Sequence, residues 1–508
     1  MSLDILRQIF KGYALNIKPS SSNQETAVTR AEPNWGALLR GKNAIRSLAL
    51  AGGVALHAIN VYLATTILPS VVKDIGGLDY YAWNTTLFVV ASILGSALSA
   101  RLLQRTGPRR SYIIAALLFA LGTLICAAAP TMPVMLVGRF VQGFGGGFLV
   151  ALSYAMIRLL FDETLWPRAM ALVSGMWGVA TLVGPALGGV FAELDAWRAA
   201  FWSLIPVTVL FAILAGAMLP RRTVDGAARA ALPWAQLILL TAAVLAVSAG
   251  SVMSGLAWSI AGVIAAVVLT ALLIWIEAGA RQRLLPQGAF RIAAPLGALY
   301  ATMSLLAVTV TSSEIFVPLF LQVLHGLPPL VAGYLAALMA AGWTLGSITG
   351  SGARGGGVGR AIQAAPLLAF AGMVVLSILI PAGSAADWAR LGPICVGLVV
   401  VGFGVGMSWP HLLTRVLQVA PRDEQDLASA SLTTVQLFAT ALGAALAGMV
   451  ANLAGLTEPG GVTGTANAAR WLFGVFAVTP ALCILTARLC ARLQPRPVAH
   501  QPSLQAAE

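Results

Sequence analysis

The chain consists of long apolar runs separated by short polar stretches. A helix needs about 20 apolar residues to cross the hydrocarbon core of a bilayer. Runs of that length recur along the sequence and predict fourteen membrane-spanning helices. The predicted spans lie near 47–69, 82–103, 111–129, 133–157, 169–192, 200–219, 234–253, 256–277, 295–321, 329–350, 363–381, 389–412, 427–452 and 470–490.

The positions of the basic residues support this count. If both termini are cytoplasmic, nearly every Lys and Arg falls in a cytoplasmic loop or tail, as the positive-inside rule expects. A missed helix would reverse every later segment and place arginines on both sides of the membrane. Of the 31 Lys and Arg residues, the exceptions are Lys73, Arg198, Arg390 and Arg470 outside, and Arg139 within a span.

The composition excludes several classes of protein. Only 10% of the residues are charged and 58% are apolar, against about 25% and about 45–50% in soluble domains. A soluble, disordered or disulfide-stapled secreted protein is therefore excluded, and we predict an all-α polytopic protein of the cell inner membrane, embedded in the lipid bilayer. The net charge of +13 comes from small groups of arginines between apolar runs, so we expect no nucleic-acid partner. The four cysteines lack CxxC spacing, and no metal site is predicted.

The order of spans predicts two six-helix bundles with two helices inserted between them. The first and last blocks share a weak internal repeat, in which Pro69 and Gly76 correspond to Pro318 and Gly326. Repeated halves are typical of secondary transporters, whose substrate site lies near mid-membrane between them. The predicted divisions are a cytoplasmic tail at 1–45, a bundle at 46–220, the inserted pair with its loops at 221–291, a second bundle at 292–492 and a cytoplasmic tail at 493–508.

Two polar segments are candidates for a conformational switch. Arg105, Gly107 and Arg109 lie in an arginine-rich turn between the second and third spans. Its guanidinium groups can cap helix ends or pair with carboxylates, or they serve only to orient the chain. Arg139 lies within the fourth span, which costs about 2.5–3.5 kcal/mol unless it faces a partner or a cavity, or reaches the interface. Gln142 lies one turn away on the same face.

The fifth span is predicted to form a moving contact between helices. Gly184, Gly188 and Gly189 permit close approach of a neighbouring helix. Pro185 removes one backbone hydrogen bond and bends the helix. We therefore expect these four residues to take part in conformational switching.

Few acidic side chains lie within the spans. Glu277 is at the cytoplasmic end of an inserted helix, and we expect it to be interfacial. Glu314 lies inside the ninth span beside Ser312 and Ser313. Desolvation favours the protonated form of such a carboxyl group, so Glu314 is our candidate for a protonatable or cation-binding site. The alternatives are a structural carboxylate paired to an adjacent helix and one near the outer interface.

Candidate substrate-binding residues are aromatic or polar. His57 and Asn60 share one face of the first helix, and His57 can titrate near neutral pH. His57 is alternatively a packed, hydrogen-bonded residue. Trp177, Trp343 and Trp409 can stack on a planar substrate, or they are packing or interfacial residues.

Four segments carry a resemblance to a known family. Residues 139–143 (RFVQG) resemble the fourth-helix motif of the major facilitator superfamily, and residues 184–189 (GPALGG) resemble the fifth-helix antiporter motif of its exporters. Residues 197–202 and 328–333 are similar to the sixth- and tenth-helix entries of its fourteen-helix drug–proton antiporter family. The resemblance implies two six-helix bundles, a central cavity, alternating access and two inserted helices.

The sequence departs from that family at two positions. Where the first helix of the family usually carries an aspartate, this chain has Asn60, and where the cytoplasmic loop usually carries one, it has Gln104. The usual proton-coupling acid therefore cannot be transferred to this chain by resemblance.

Together these features predict a secondary active transporter that exports small organic compounds, drugs among them, in exchange for protons. An alternative is uptake of a nutrient such as a vitamin by symport or facilitated diffusion. No catalytic constellation or large soluble region supports an enzyme. We expect no cofactor beyond a proton gradient, a small organic substrate, and action as a monomer or with periplasmic efflux partners.

Overall fold

The computed structural model describes residues 35–220, 232–253, 255–383 and 386–492. These residues form helices and short connections, with no strand among them. The predicted carboxy-terminal tail and most of the amino-terminal tail lie outside the described residues. Within them, the all-α fold predicted from the apolar runs is confirmed.

The amino-terminal bundle consists of five long helices after a single helical turn at Trp35–Leu38. Their apolar runs are long enough to span a bilayer. In chain order they are α1 (Gly41–Ile75), α2 (Trp83–Ala127), α3 (Met132–Leu160), α4 (Trp166–Glu193) and α5 (Trp197–Met218).

Helix α2 contains two predicted spans that meet at Gly107. This residue has φ of 73° and ψ of 169°, outside the helical region, in a conformation that glycine adopts at little cost. Thr106 and Ser111 flank the break, and their hydroxyl oxygens lie 2.8 Å apart. The predicted turn between the second and third spans is therefore a sharp break at Gly107.

The two segments of α2 run in opposite directions. Both pack against glycines of α3, which allow close backbone approach. In the first segment, residue numbers rise together with those of the contacting α3 residues. In the second segment, they fall as the α3 residue numbers rise. The contacts are Gly143 with Phe88 and Gly147 with Ser92 for the first segment, and Gly138 with Cys126 and Gly145 with Phe119 for the second. The chain therefore crosses the bundle twice within α2.

The inserted pair and the carboxy-terminal bundle follow. The pair consists of α6 (Trp234–Val252) and α7 (Leu256–Gly279). The second bundle contains two crossings that are each built from two shorter helices, α8 with α9 and α14 with α15. Its helices are α8 (Pro295–Glu314), α9 (Val317–His325), α10 (Pro329–Ser351), α11 (Gly356–Leu379), α12 (Trp388–Val419), α13 (Gln425–Leu453), α14 (Gly461–Phe476) and α15 (Val478–Arg492).

The helix count agrees with the sequence prediction. Thirteen helical stretches in the described residues are long and apolar enough to cross a membrane. One of them contains both segments of α2, which gives fourteen crossings. The last predicted span, 470–490, is longer in the structure because α14 begins at Gly461.

The two bundles meet at the end that carries Ile75, Glu193 and Pro329, which we call the closed end. Gly189 of α4 lies against Leu330 of α10, and the Tyr81 and Phe316 rings stack with centroids 5.0 Å apart. A pocket of about 490 Å³ also lies at the closed end. It is lined by residues of both bundles, Lys73, Glu193, Asp195 and Gln322 among them.

The inserted pair lies along the line where α2 and α13 meet. Val244 and Val247 of α6 pack in one apolar cluster with Phe88 of α2 and Ala441 of α13. At the closed end, Asn452 of α13 donates hydrogen bonds to the carbonyl oxygens of Ser251 and Asp79, each 3.0 Å away. Helix α6 therefore contacts both bundles.

Candidate functional site

The amino-terminal bundle contains a polar network centred on Arg139. This side chain is 2% exposed. Its Nη1 atom donates to Oε1 of Gln142 at 2.6 Å, and its Nε atom donates to the carbonyl oxygen of Asn84 at 3.2 Å. Its guanidinium also lies over the Phe88 ring, 4.2 Å from the centroid. Arg139 is thus buried among protein partners rather than extended toward the surface.

Gln142 links Arg139 to two more helical segments. Its Oε1 atom accepts a second hydrogen bond from Asn60 of α1 at 3.2 Å, and its Nε2 atom donates to Thr123 of α2 at 2.8 Å. The spacing of Arg139 and Gln142 predicts that they share a face, and the structure confirms that placement. The network therefore joins α1, α2 and α3.

His57 and Asn60 both point toward α3. An added Cβ at Gly146 would lie 2.6 Å from Nδ1 of His57. The His57 ring lies 5.1 Å from that of Phe88 and 5.9 Å from that of Trp177. Trp177 is 38% exposed. Within this group, Trp177 is therefore the residue most available to a ligand.

Glu314 lies where the first crossing of the carboxy-terminal bundle is interrupted. It is the last residue of α8, and two residues separate it from α9. It is surrounded by protein yet partly exposed. Among the described residues it makes no hydrogen bond or ion pair, and it interacts electrostatically with Tyr62 of α1.

Tyr62 reaches this position because α4 packs closely on α1. An added Cβ at Gly184 would lie 2.5 Å from Cβ of Tyr62, and one at Gly188 would lie 2.9 Å from the carbonyl oxygen of Leu63. Thr181 of α4 also interacts with the Tyr62 side chain. The glycines of α4 thus hold Tyr62 of one bundle near Glu314 of the other.

Further along α4, the same motif contacts the second bundle. Gly333 of α10 packs closely on Thr66 and Pro185. A Cβ atom added at Gly333 would lie 2.6 Å from the Thr66 side chain and 3.4 Å from that of Pro185. Tyr334 donates to the carbonyl oxygen of Leu182 at 3.2 Å. The motif at 184–189 therefore lies in the contact between the bundles.

The predicted pairing of the arginine-rich turn does not occur in this conformation. Arg105 is exposed and Arg109 partly buried. Neither makes an ion pair within the described part of the chain, where the ion pairs are Arg198–Asp74 and Arg283–Glu424. Arg109 lies beside Gly216 of α5. Its Nη2 atom would be 4.0 Å from a Cβ atom added at Gly216.

Trp343 and Trp409 pack against each other inside the carboxy-terminal bundle, with ring centroids 5.0 Å apart. Trp409 is 7% exposed and belongs to the main apolar core. The burial of Trp409 favours the packing alternative for that residue, whereas Trp343 is partly exposed.

Glu277, which we expect at the membrane interface, lies near the end of α7 and is covered by protein. Its side chain is 4% exposed. It accepts hydrogen bonds from the backbone N–H groups of Leu284 and Leu285 at 2.5 and 2.7 Å and from Gln236 at 3.1 Å. The loop after α7 folds back over the carboxylate because these donors satisfy its charge, and run length alone does not reveal such a loop.

Several residues of the site were not singled out in the sequence. Tyr62, Asn84 and Thr123 resemble many other polar residues within the spans, and their partners lie on other helices. Glu193 ends an apolar run, yet its Oε1 atom accepts from the backbone N–H of Leu330 at 3.2 Å across the closed end. Its position shortly after the glycine motif at 184–189 is the sequence feature that could have marked Glu193 as part of the contact between the bundles.

Two bundles of membrane-spanning helices, in contact at one end and with polar side chains between them, define a multi-pass membrane transporter. A family model described as Major Facilitator Superfamily matches residues 50–256. The chain belongs to the major facilitator superfamily, whose members are transporters and not enzymes.

Similar proteins support this assignment. A protein named as a probable multidrug-efflux transporter of Mycobacterium tuberculosis (strain ATCC 25618 / H37Rv) is 38% identical over 451 residues, 86% of this chain and 93% of that protein. Multidrug resistance protein 3 of Bacillus subtilis (strain 168) is 24% identical over 417 residues, 79% of this chain and 78% of that protein. The crystal structure of a POT family transporter in complex with 5-aminolevulinic acid shares the fold, with a TM-score of 0.63, 12% identity and coverage of 87% of this chain and 96% of that one.

Proposed function

We propose that this transporter exports small organic compounds in exchange for protons by alternating access. The observation that carries this proposal is Glu314, an unpaired carboxyl group inside a membrane-spanning segment, partly exposed and near Tyr62 of the other bundle. Relatives named for multidrug efflux support the direction of transport.

The surroundings of Glu314 suit reversible protonation. A carboxyl group away from water is favoured in its neutral form, and contact with water favours its charged form. Movement of the bundles changes the access of Glu314 to each side of the membrane, so proton uptake and release can occur on opposite sides. A membrane potential contributes about 2.3 kcal/mol per proton and 100 mV, which is enough to drive export against a gradient.

The contact between α4 and α10 is suited to opening and closing. Its closest contacts are made at glycines and one proline, and its hydrogen bonds are accepted or donated by backbone groups. In this proposal the residues at 184–189 form the moving contact, and Arg139 with Gln142 holds α1 and α3 together during the movement.

The orientation and setting follow from the charge distribution. Because most basic residues fall on one side, we place both termini in the cytoplasm and the protein in the cell inner membrane. The closed end then faces outward. The transporter requires no cofactor beyond the proton gradient, and it acts as a monomer or with periplasmic efflux partners.

The test begins with substrates. Compounds are found by comparing growth inhibition of a deletion strain with that of an overexpressing strain. Each is then followed in vesicles of known orientation under an imposed pH gradient. Proton-coupled export moves the compound out of the cytoplasmic side, symport accumulates it there, and facilitated diffusion only equilibrates it regardless of the pH gradient, which separates the functions.

The proton site is tested with a matched pair of variants. Glu314→Gln removes the titrating group and is expected to abolish transport driven by the pH gradient. Glu458→Gln is the control, because Glu458 is an exposed loop residue and its loss should leave transport unchanged. Intact pH-driven transport in Glu314→Gln would refute the role of Glu314.

A further inference from the structure

The Arg139 network contains more charge and more donors than its protein partners satisfy. Arg139 is 2% exposed as a residue, and the two atoms that accept hydrogen bonds from its side chain are neutral oxygens. No carboxylate pairs with it in residues 35–220 or elsewhere in the described chain. A buried cation without a counter-charge is energetically costly.

The side chains around Arg139 are amides rather than acids. Asn60, Asn84 and Gln142 are all fully buried. Both polar atoms of the Asn84 side chain lack a hydrogen-bond partner, as do Oδ1 of Asn60 and Nδ1 of His57. His57 also interacts electrostatically with Arg139. These atoms form one buried cluster with incomplete hydrogen bonding.

Donors exceed acceptors in this cluster. An arginine offers five N–H groups and a neutral amide offers two. Arg139 uses two donor atoms in the contacts described above, and the Asn84 amide uses none. The unpartnered side-chain oxygens are Oδ1 of Asn60 and Oδ1 of Asn84. Water would complete the hydrogen bonds without supplying a negative charge.

We infer that this cluster binds a small inorganic anion such as chloride, held by the Arg139 guanidinium and the Asn84 amide. A monatomic anion accepts several hydrogen bonds at once and supplies the counter-charge. The burial of Arg139 and Asn84 favours a small ion over an organic carboxylate. The anion thereby stabilises the contact among α1, α2 and α3.

The experiment measures thermal unfolding of the purified full-length protein. Chloride is titrated against gluconate at constant ionic strength, and bromide serves as a second small halide. A ligand that binds only the folded state raises stability as its concentration passes the dissociation constant. We expect a saturable rise in melting temperature with chloride and bromide but not with gluconate. This readout needs no transport substrate, so it is independent of the proposed export function.

Asn60→Asp is the decisive variant. The substitution is nearly isosteric and places a carboxylate where Nδ2 of Asn60 lies 3.2 Å from Oε1 of Gln142, beside Arg139. We expect it to abolish the chloride-dependent rise, because the protein then carries its own counter-charge. Asn467→Asp is the matched control, since it makes the same change of charge on α14, and it should retain the rise.

Several results would overturn the inference. One is the absence of any halide-specific stabilisation of the unmodified protein. Another is a chloride response in Asn60→Asp equal to that of the unmodified protein, or its loss in Asn467→Asp as well. An anomalous bromide peak beside Arg139 in crystals would support the site directly, and a bromide-soaked crystal with no peak there would count against it.

Discussion

The carboxylate of Glu193 accepts a hydrogen bond from the backbone N–H of Leu330, 3.2 Å away, across the boundary between the two bundles. Leu330 lies in the first turn of α10, where backbone N–H groups lack partners within the helix. Glu193 therefore caps a helix of the opposite bundle, and the cap exists only while the closed end is closed.

Removal of this cap should favour opening of the closed end. Loss of a side-chain cap costs about 0.5–2 kcal/mol, and Glu193 is exposed, so we expect Glu193→Ala to raise the open population by a few-fold. The measurement is the labelling rate of Ser70→Cys, a residue that lines the pocket at this end. Asp195→Asn, in the same pocket, is the control, and equal labelling rates in both variants would contradict the prediction.

A bulkier residue at Gly189 should prevent closure altogether. An added Cβ there would collide with Cα of Leu330, whereas Gly178 on the same helix has no atom within 4 Å of an added Cβ. We expect Gly189→Val to abolish transport and Gly178→Val to retain most of it. Valine costs less than about 1 kcal/mol of helix propensity in either position. Transport in vesicles, with protein amounts matched, distinguishes the two, and equal activities would refute the prediction.

Truncation of Glu277 should destabilise the protein without touching the transport site. Three donors, two of them backbone N–H groups, point at its buried carboxylate. Each buried donor left unpartnered costs about 1–3 kcal/mol, so we expect Glu277→Ala to lower the melting temperature clearly. Glu458→Ala, at an exposed loop position, should have no measurable effect. An unchanged melting temperature in Glu277→Ala would show that water replaces the carboxylate.

The tryptophans should separate into two groups. Trp409→Ala removes a core side chain that is 7% exposed, and such truncations cost about 3–5 kcal/mol. Trp177 is 38% exposed, so Trp177→Ala should change the range of exported compounds while leaving the melting temperature nearly unchanged. Paired measurements of unfolding and of drug susceptibility test both expectations. A large loss of stability in Trp177→Ala would assign it to packing.

The sequence predicts the crossings of this fold well because membrane spans carry a strong apolar signal. It also identifies Arg139 and Glu314, since a charge within a span is rare and visible. The network of Arg139 is harder to predict, because Asn84 and Thr123 come from other helical segments and only the packing of α2 on α3 brings them together. The burial of Glu277 is hard to predict for a similar reason, since its donors lie on α6 and in the loop that follows α7.

The position of α6 bears on how the two bundles move. Because this helix packs on α2 and α13 together, the molecule has three bodies rather than two, and one of them bridges the others along one side. A rigid rotation of one bundle must either slide over α6 or carry α6 away from the other. The α4–α10 side has no such bridging helix, and its contacts include the glycines, the Glu193 cap and the Tyr334 hydrogen bond. In the proposed alternating access, we therefore expect the pivot to lie near α6 and the widest gap to open on the opposite side.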